Sequence, residues 1–154
     1  MGISLADIAG LDVSEVNEIR MGALPKGNYV FEVKKADLEE GTNKDNEQRF
    51  IITTESEVVE VISLIDPKED KEALIGRKYT DKQYIVPEKW EEGVGLYRGR
   101  VTDMGCDSSG VLGEVVERTI GHQYRAKITH RRDRDDREKF YADMQIDAKA
   151  NTQG

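Results

Sequence analysis

The side chains that could do covalent chemistry in this sequence are few and badly placed to act together. His122 and His130 are its two histidines. On one expected strand, eight residues apart, they share a face but lie about 26 Å from each other by strand rise, too far to hold one metal ion. Ser108 and Ser109 sit in an expected turn with no histidine signal nearby, so neither has a base to activate it. The acidic run DRDDRE, residues 133–138, lacks the glycine and the closing glutamate of a calcium loop. Gly93, Gly95 and Gly99 have the wrong spacing for a dinucleotide fingerprint, and no pattern of parallel strands surrounds them. Cys106 is the only cysteine; it has no partner for a disulfide or for zinc and reads as a core residue. Carboxylate pairs carry no information in a chain with 31 acidic residues. The expectation is a protein that is not an enzyme and needs no metal or cofactor.

What remains is cations and aromatic rings at strand spacing. From His122 to Asp147 the chain reads as two strands joined by a charged loop. Tyr124, Ala126 and Ile128 alternate with Arg125, Lys127, Thr129 and Arg131, and then Phe140, Ala142, Met144 and Ile146 alternate with Tyr141, Asp143, Gln145 and Asp147. Both strands can share one core and leave a partly basic outer face. An earlier strand repeats the pattern: Tyr79 and Ile85 suggest the core, with Lys78, Lys82 and Tyr84 outside. Cations along a groove neutralise phosphates, and aromatic planes accept stacked bases. The candidate binding residues are therefore Lys78, Lys82 and Tyr84, then Arg125, Lys127, Arg131 and Arg132, with Tyr141 beside them. Arg134, Arg137 and Lys139 in the connecting finger could clamp a backbone, although Asp133, Asp135, Asp136 and Glu138 largely offset them.

Composition sets the frame. A hydrophobic content of 37% with 35% charged residues describes a very polar single domain of 154 residues with much of its chain exposed. No run approaches the roughly 20 apolar residues that span a bilayer, and MGISLADIAG lacks the features of a signal peptide, so no membrane contact and a cytoplasmic location are expected. The net charge of −8 speaks against a polyanion partner until its distribution is considered. Residues 1–75 hold 8 Lys+Arg against 17 Asp+Glu, whereas residues 76–154 hold 15 against 14. The local field, not the total, decides whether a basic groove persists.

In chain order, Leu5, Ile8 and Ala9 hint at a short helix, and Asp12 or Ser14 could cap another before Val16 and Ile19. This stretch, residues 1–23, reads as an N-terminal arm that packs across the domain or joins a second copy. A first strand begins at Tyr29, Phe31 and Val33. Residues 34–48 look like a long exposed loop. Phe50 to Ile65 reads as one long strand whose alternation slips at Glu55–Glu57, where a bulge or bend would turn a barrel corner. A helical turn falls in KEDKEAL, and the third strand in RKYTDKQYIV. Val94, Tyr97, Val101 and Met104 then mark a helix weakened by three glycines, and Leu112, Val115, Val116 and Ile120 mark a second, stopped by Gly121. Trp90 reads as a plug at the barrel's end and Tyr97 as core. This order predicts a mainly β protein: a five-stranded OB-fold-like Greek-key barrel over residues 24–148, with a helix between strands 3 and 4 and a disordered tail at 149–154.

The stretches LPKGNYVFEV, GRKYTDKQYIV, VTDMGC, IGHQYRAKI and KFYADMQI, spread over residues 24–147, resemble a class of small bacteriophage-encoded single-stranded DNA-binding proteins built on the OB-fold. The resemblance implies a viral protein that binds and protects single-stranded DNA independently of sequence during DNA replication or recombination, in the host cytoplasm. It also implies replication or recombination proteins as further partners. The chain ends in AKANTQG where better-known bacterial members carry an acidic tail with an apolar tip, so recruitment through such a tail is not implied. The competing reading is a structural or interaction protein, a virion component or an acidic inhibitor, that uses the barrel as a scaffold.

Overall fold

Alternation of apolar and polar residues builds the sheet. In a computed structural model of the chain, which describes residues 4–12, 14, 23–132, 134–135 and 140–152, five strands pair in the order β3-β2-β1-β4-β5, with every neighbouring pair antiparallel. They are β1 (Gly27–Thr42), β2 (Gln48–Leu64), β3 (Lys78–Ile85), β4 (Gln123–Arg132) and β5 (Phe140–Ile146). From β1, Tyr29, Phe31 and Val33 point into the core with no measurable exposure. They meet Ile52 and Val58 of β2 and Tyr124, Ala126 and Ile128 of β4. Each large side chain so buried contributes about 1.5–3 kcal/mol from water exclusion. The rings of Phe31 and Tyr124 stack at 5.8 Å, and Tyr29 approaches Phe31 at 5.7 Å.

The sheet is curled but not closed. No ladder joins β3 to β5. Side chains span the gap instead: the Tyr79 hydroxyl donates to the Ala142 carbonyl at 3.4 Å, and Arg100 pairs with Asp81 at 3.1 Å while approaching the Met144 sulfur. The mainly β expectation and the five strands stand; what differs from the expected barrel is this open seam.

Between β3 and β4 lie α3 (Trp90–Asp103) and α4 (Leu112–Thr119), which cover the core with Tyr97, Val101, Val115 and Val116. A 3-10 turn at Pro87–Lys89 leads into α3. Tertiary contact holds α3 despite its glycines. A Cβ at Gly93 would come within 3.1 Å of the Ile85 backbone, so this glycine permits the close approach to β3, whereas Gly95 and Gly99 face open space. Gly121, at φ +86, ends α4 and donates its N–H to the Val33 carbonyl. Ile120 turns out to solvent, and Thr119 takes the buried place in the last turn of α4, its hydroxyl donating to the Val116 carbonyl. The short α2 (Lys71–Leu74), capped by Asp70, buries Leu74.

Four expectations are corrected. Residues 34–48 are not a long loop: β1 continues to Thr42 and returns through a tight turn in which the Asn43 side chain accepts from the N–H groups of Asp45 and Glu47. The apparent break at Glu55–Glu57 is not a slip of β2. Ser56 lies inward and buried, with its hydroxyl 2.7 Å from that of Tyr124, so a polar residue continues the inward row. The register shifts fall at Ile62 and Val59 of β2 and at Lys34 of β1, the last between the pairs Val33–Ser56 and Lys35–Glu55, so a bulge does lie at this level, but on the partner strand. Trp90 does not plug the sheet's end, being 55% exposed. Residues 149–152 of the expected disordered tail belong to α5 (Ala148–Thr152), pinned because Asn151 donates to the carbonyls of Asp103 and Arg125 and accepts from the Arg125 N–H.

In the arm, α1 (Leu5–Ala9) carries a Ser4–Asp7 capping box yet buries none of its residues. The second expected arm helix, after Asp12, lies outside the described residues. No described helix is long and apolar enough to cross a membrane.

Candidate nucleic-acid interface

Strand parity places most of the candidate residues on the outer face of the sheet. Lys78, Lys82 and Tyr84 project from the edge strand β3, beside Glu57, Thr53 and Ile51 of β2 in register. Arg125, Lys127 and Arg131 project from β4, beside Val30 and Asn28 of β1 on one side and Gln145 and Tyr141 of β5 on the other. Arg132 has the opposite parity, since consecutive strand residues face opposite ways. Its guanidinium lies over the exposed Phe140 ring, 5.4 Å from the centroid. Arg134 is exposed in the β4–β5 connection, and Arg137 and Lys139 lie outside the described residues.

The cations therefore form two tracts, not one continuous channel. Through the sheet, β3 and β4 are three strand spacings apart, about 14 Å. Between them runs an acidic centre: Glu32 and Glu57 face each other in register across β1 and β2, and Glu55 follows on β2. Like charges directly opposite destabilise a sheet. Lys34, the bulged residue of β1, relieves this by bonding Glu32 and lying 3.9 Å from Glu57. Hydrogen bonds from Lys34 and then Gln123 hold the Glu32 carboxyl below its usual range, while the bond to Glu32 raises the Lys34 ammonium, so both stay charged at neutral pH.

Carboxylates also claim part of the candidate set. Lys78 lies 3.8 Å from Glu55, and Arg131 lies 3.2 Å from Asp143. Exposed pairs of this kind are weak, of order 0–1 kcal/mol. Lys82, Arg125 and Lys127 have no carboxylate partner among the described residues. The two outer tyrosines are each accompanied by an arginine: Arg49 lies 4.2 Å from the Tyr84 ring centroid and Arg131 lies 5.5 Å from that of Tyr141. Both rings remain more than 40% exposed.

Arg49 is the residue that sequence reasoning missed, because residues 34–48 looked like a loop and the strand seemed to begin at Phe50. The signal was there: Arg49, Ile51 and Thr53 alternate with Phe50 and Ile52. Its Nε is buried without a hydrogen-bond partner, so the guanidinium is held chiefly by the Tyr84 ring.

The histidines serve the fold. His122 Nε2 lies 2.6 Å from the Met104 carbonyl and His130 Nε2 lies 2.6 Å from that of Leu24, each able to donate across chain segments. Cys106 packs against the core, and burial raises its thiol pKa, away from a reactive thiolate. Among the described residues no cluster of three His, Cys, Asp or Glu side chains is placed to hold a metal ion. No protein-family model matches this chain, and no curated protein sequence does.

Proposed function

We propose that the protein binds single-stranded DNA largely independently of sequence and protects it during bacteriophage DNA replication or recombination, without catalysis. The observation that carries this reading is the outer face of β4 and β5. Arg125 and Lys127 form no ion pair with a carboxylate among the described residues, and farther along the same face of β4 Arg131 sits across from the exposed ring of Tyr141. Alternating cations and a ring on neighbouring strands suit a flexible polyanion whose bases can stack. The β3 edge, with Lys82, Tyr84 and Arg49, supplies a second landing of the same composition. The acidic centre steers a strand along each tract and disfavours a path straight across the sheet.

The strand order also supports the reading. The order β3-β2-β1-β4-β5, with helices between β3 and β4, is that of an OB barrel opened between its third and fifth strands. In this reading the long β1–β2 hairpin and the β4–β5 connection flank the binding face, and the N-terminal arm, with Leu5, Ile8 and Leu11 exposed, joins copies of the protein. The host cytoplasm is where such a protein acts.

The test is a fluorescent dT oligonucleotide. It binds at low salt, binding weakens steeply as salt rises, and the K82A/R125A/K127A variant binds less with a shallower salt slope. Absence of binding at about 50 mM salt, where phosphate contacts are strong, removes the reading. The acidic centre of the face favours the second reading, a non-enzymatic interaction or virion protein. In that case DNA leaves the protein's elution volume unchanged while a defined protein partner or large assembly shifts it.

A further inference from the structure

A small cleft opens on the outer face where three strands meet. It measures about 120 Å³ and is lined by Asn28, Tyr29, Ile62, Arg125, Ala126 and Asp147. That is room for about four waters and well under the roughly 300 Å³ at which drug-sized pockets begin, so it admits only a small group or the edge of a larger one.

The cleft has three physical properties. Ile62, displaced at a register shift between β1 and β2, supplies an apolar wall that is 37% exposed. Arg125 and Asp147, residues of opposite charge, both line the cleft and form no ion pair with each other. Asp147 is fixed in place as the cap of α5, with one carboxylate oxygen accepting from the Ala150 N–H at 3.1 Å and its own N–H donating to the Arg125 carbonyl. A carboxylate so placed repels a phosphate, so the cleft does not continue the backbone track. It suits a neutral planar group that offers donors to one wall and acceptors to the other.

We infer that this cleft receives one base of the bound strand and prefers guanine, an inference that rests on the single-strand reading above. Guanine presents two adjacent donors, N1–H and the N2 amino group, to a carboxylate, and two adjacent acceptors, O6 and N7, to a guanidinium. Thymine offers one donor, and adenine and cytosine one amino group each. The result is a strand held without regard to sequence along its phosphates, with one position that discriminates.

The experiment compares dT oligonucleotides of equal length that carry one internal dG, dA, dC or no replacement, by competition against a labelled dT strand at low salt. The wild-type protein binds the dG strand about tenfold more tightly than the others, the scale of one bidentate base contact. Asp147→Asn keeps a good helix cap and removes the carboxylate's share of the contact while Arg125 keeps its own, so it lowers that ratio several-fold while dT binding and its salt dependence persist. Equal affinity of the wild type for all four strands, preference for another base, or a ratio that is undiminished in D147N overturns the inference and leaves single-strand binding standing. Failure to bind any of the strands overturns both. The wild-type ratio decides the matter even if the variant does not fold.

Discussion

Tyr124 and Tyr141 lie on neighbouring strands of one sheet and live in different chemistry. Tyr124 points inward, is 4% exposed, stacks on Phe31 and shares a hydrogen bond with Ser56. Tyr141 points outward, is 44% exposed and lies beside Arg131. Tyr29 and Tyr84 repeat the contrast on β1 and β3. Burial pushes the hydroxyls of Tyr29 and Tyr124 up to about 12. The difference is set by strand parity alone, and it teaches that one face of this sheet supplies stability while the other is free to carry recognition.

The separation can be broken most violently from the inside. Phe31 touches Tyr29, Tyr79 and Tyr124, so Phe31→Ala should cost about 3–5 kcal/mol, read as a lower midpoint in urea unfolding. A purely structural inner face predicts that any folded fraction still binds DNA.

Alkali sharpens the same contrast. An unfolded tyrosine ionises near 10, whereas Tyr29 and Tyr124 hold their protons in the fold until about 12. Stability from keeping them neutral is complete below pH 10 and is lost as pH rises from about 10 to about 12. Absorbance at 295 nm should show Tyr29 and Tyr124, together with Tyr79 and Tyr97, whose hydroxyls burial also raises, ionising above pH 10 as the protein unfolds. Ionisation of all six in one step near 10 would contradict the burial described.

On the outer face, Tyr84→Ala and Tyr141→Ala should each weaken single-strand binding by about 1–3 kcal/mol and leave the thermal midpoint nearly unchanged. A loss of stability comparable to that of F31A would show that these rings belong to the core and not to the interface.

The smallest effect concerns neither face. Gly95 and Gly99 lie in α3 with nothing near their missing side chains, so alanine at each should add up to about 1 kcal/mol of stability with binding unaltered. Gly93→Ala should do the opposite, because its Cβ would press on Ile85 and on the Tyr84 carbonyl.

Much of this architecture was legible in the residues. The alternation at Tyr124–Ile128 named the buried face of β4, Tyr79 and Ile85 suggested that of β3, and the helical spacing of Tyr97 and Val101 placed α3, because side-chain period follows backbone geometry directly. Ser56 misled because a buried hydroxyl looks polar in a sequence and apolar in function once Tyr124 satisfies it. The hairpin of residues 34–48 was invisible for a related reason: its side chains are nearly all exposed, and pairing between β1 and β2, not burial, makes it a strand.

The sequence by itself determined which residues of β3, β4 and β5 share a face, where α3 and α4 fall, and that the basic residues concentrate in the second half of the chain. Only the tertiary structure decided that these cations divide into two tracts around Glu32, Glu55 and Glu57, that Arg49 reaches Tyr84, and that Arg125 and Asp147 line one cleft. Periodicity is a property of the local backbone, whereas the neighbours of a side chain across a sheet depend on strand order and register, which are settled by the packing of the whole core.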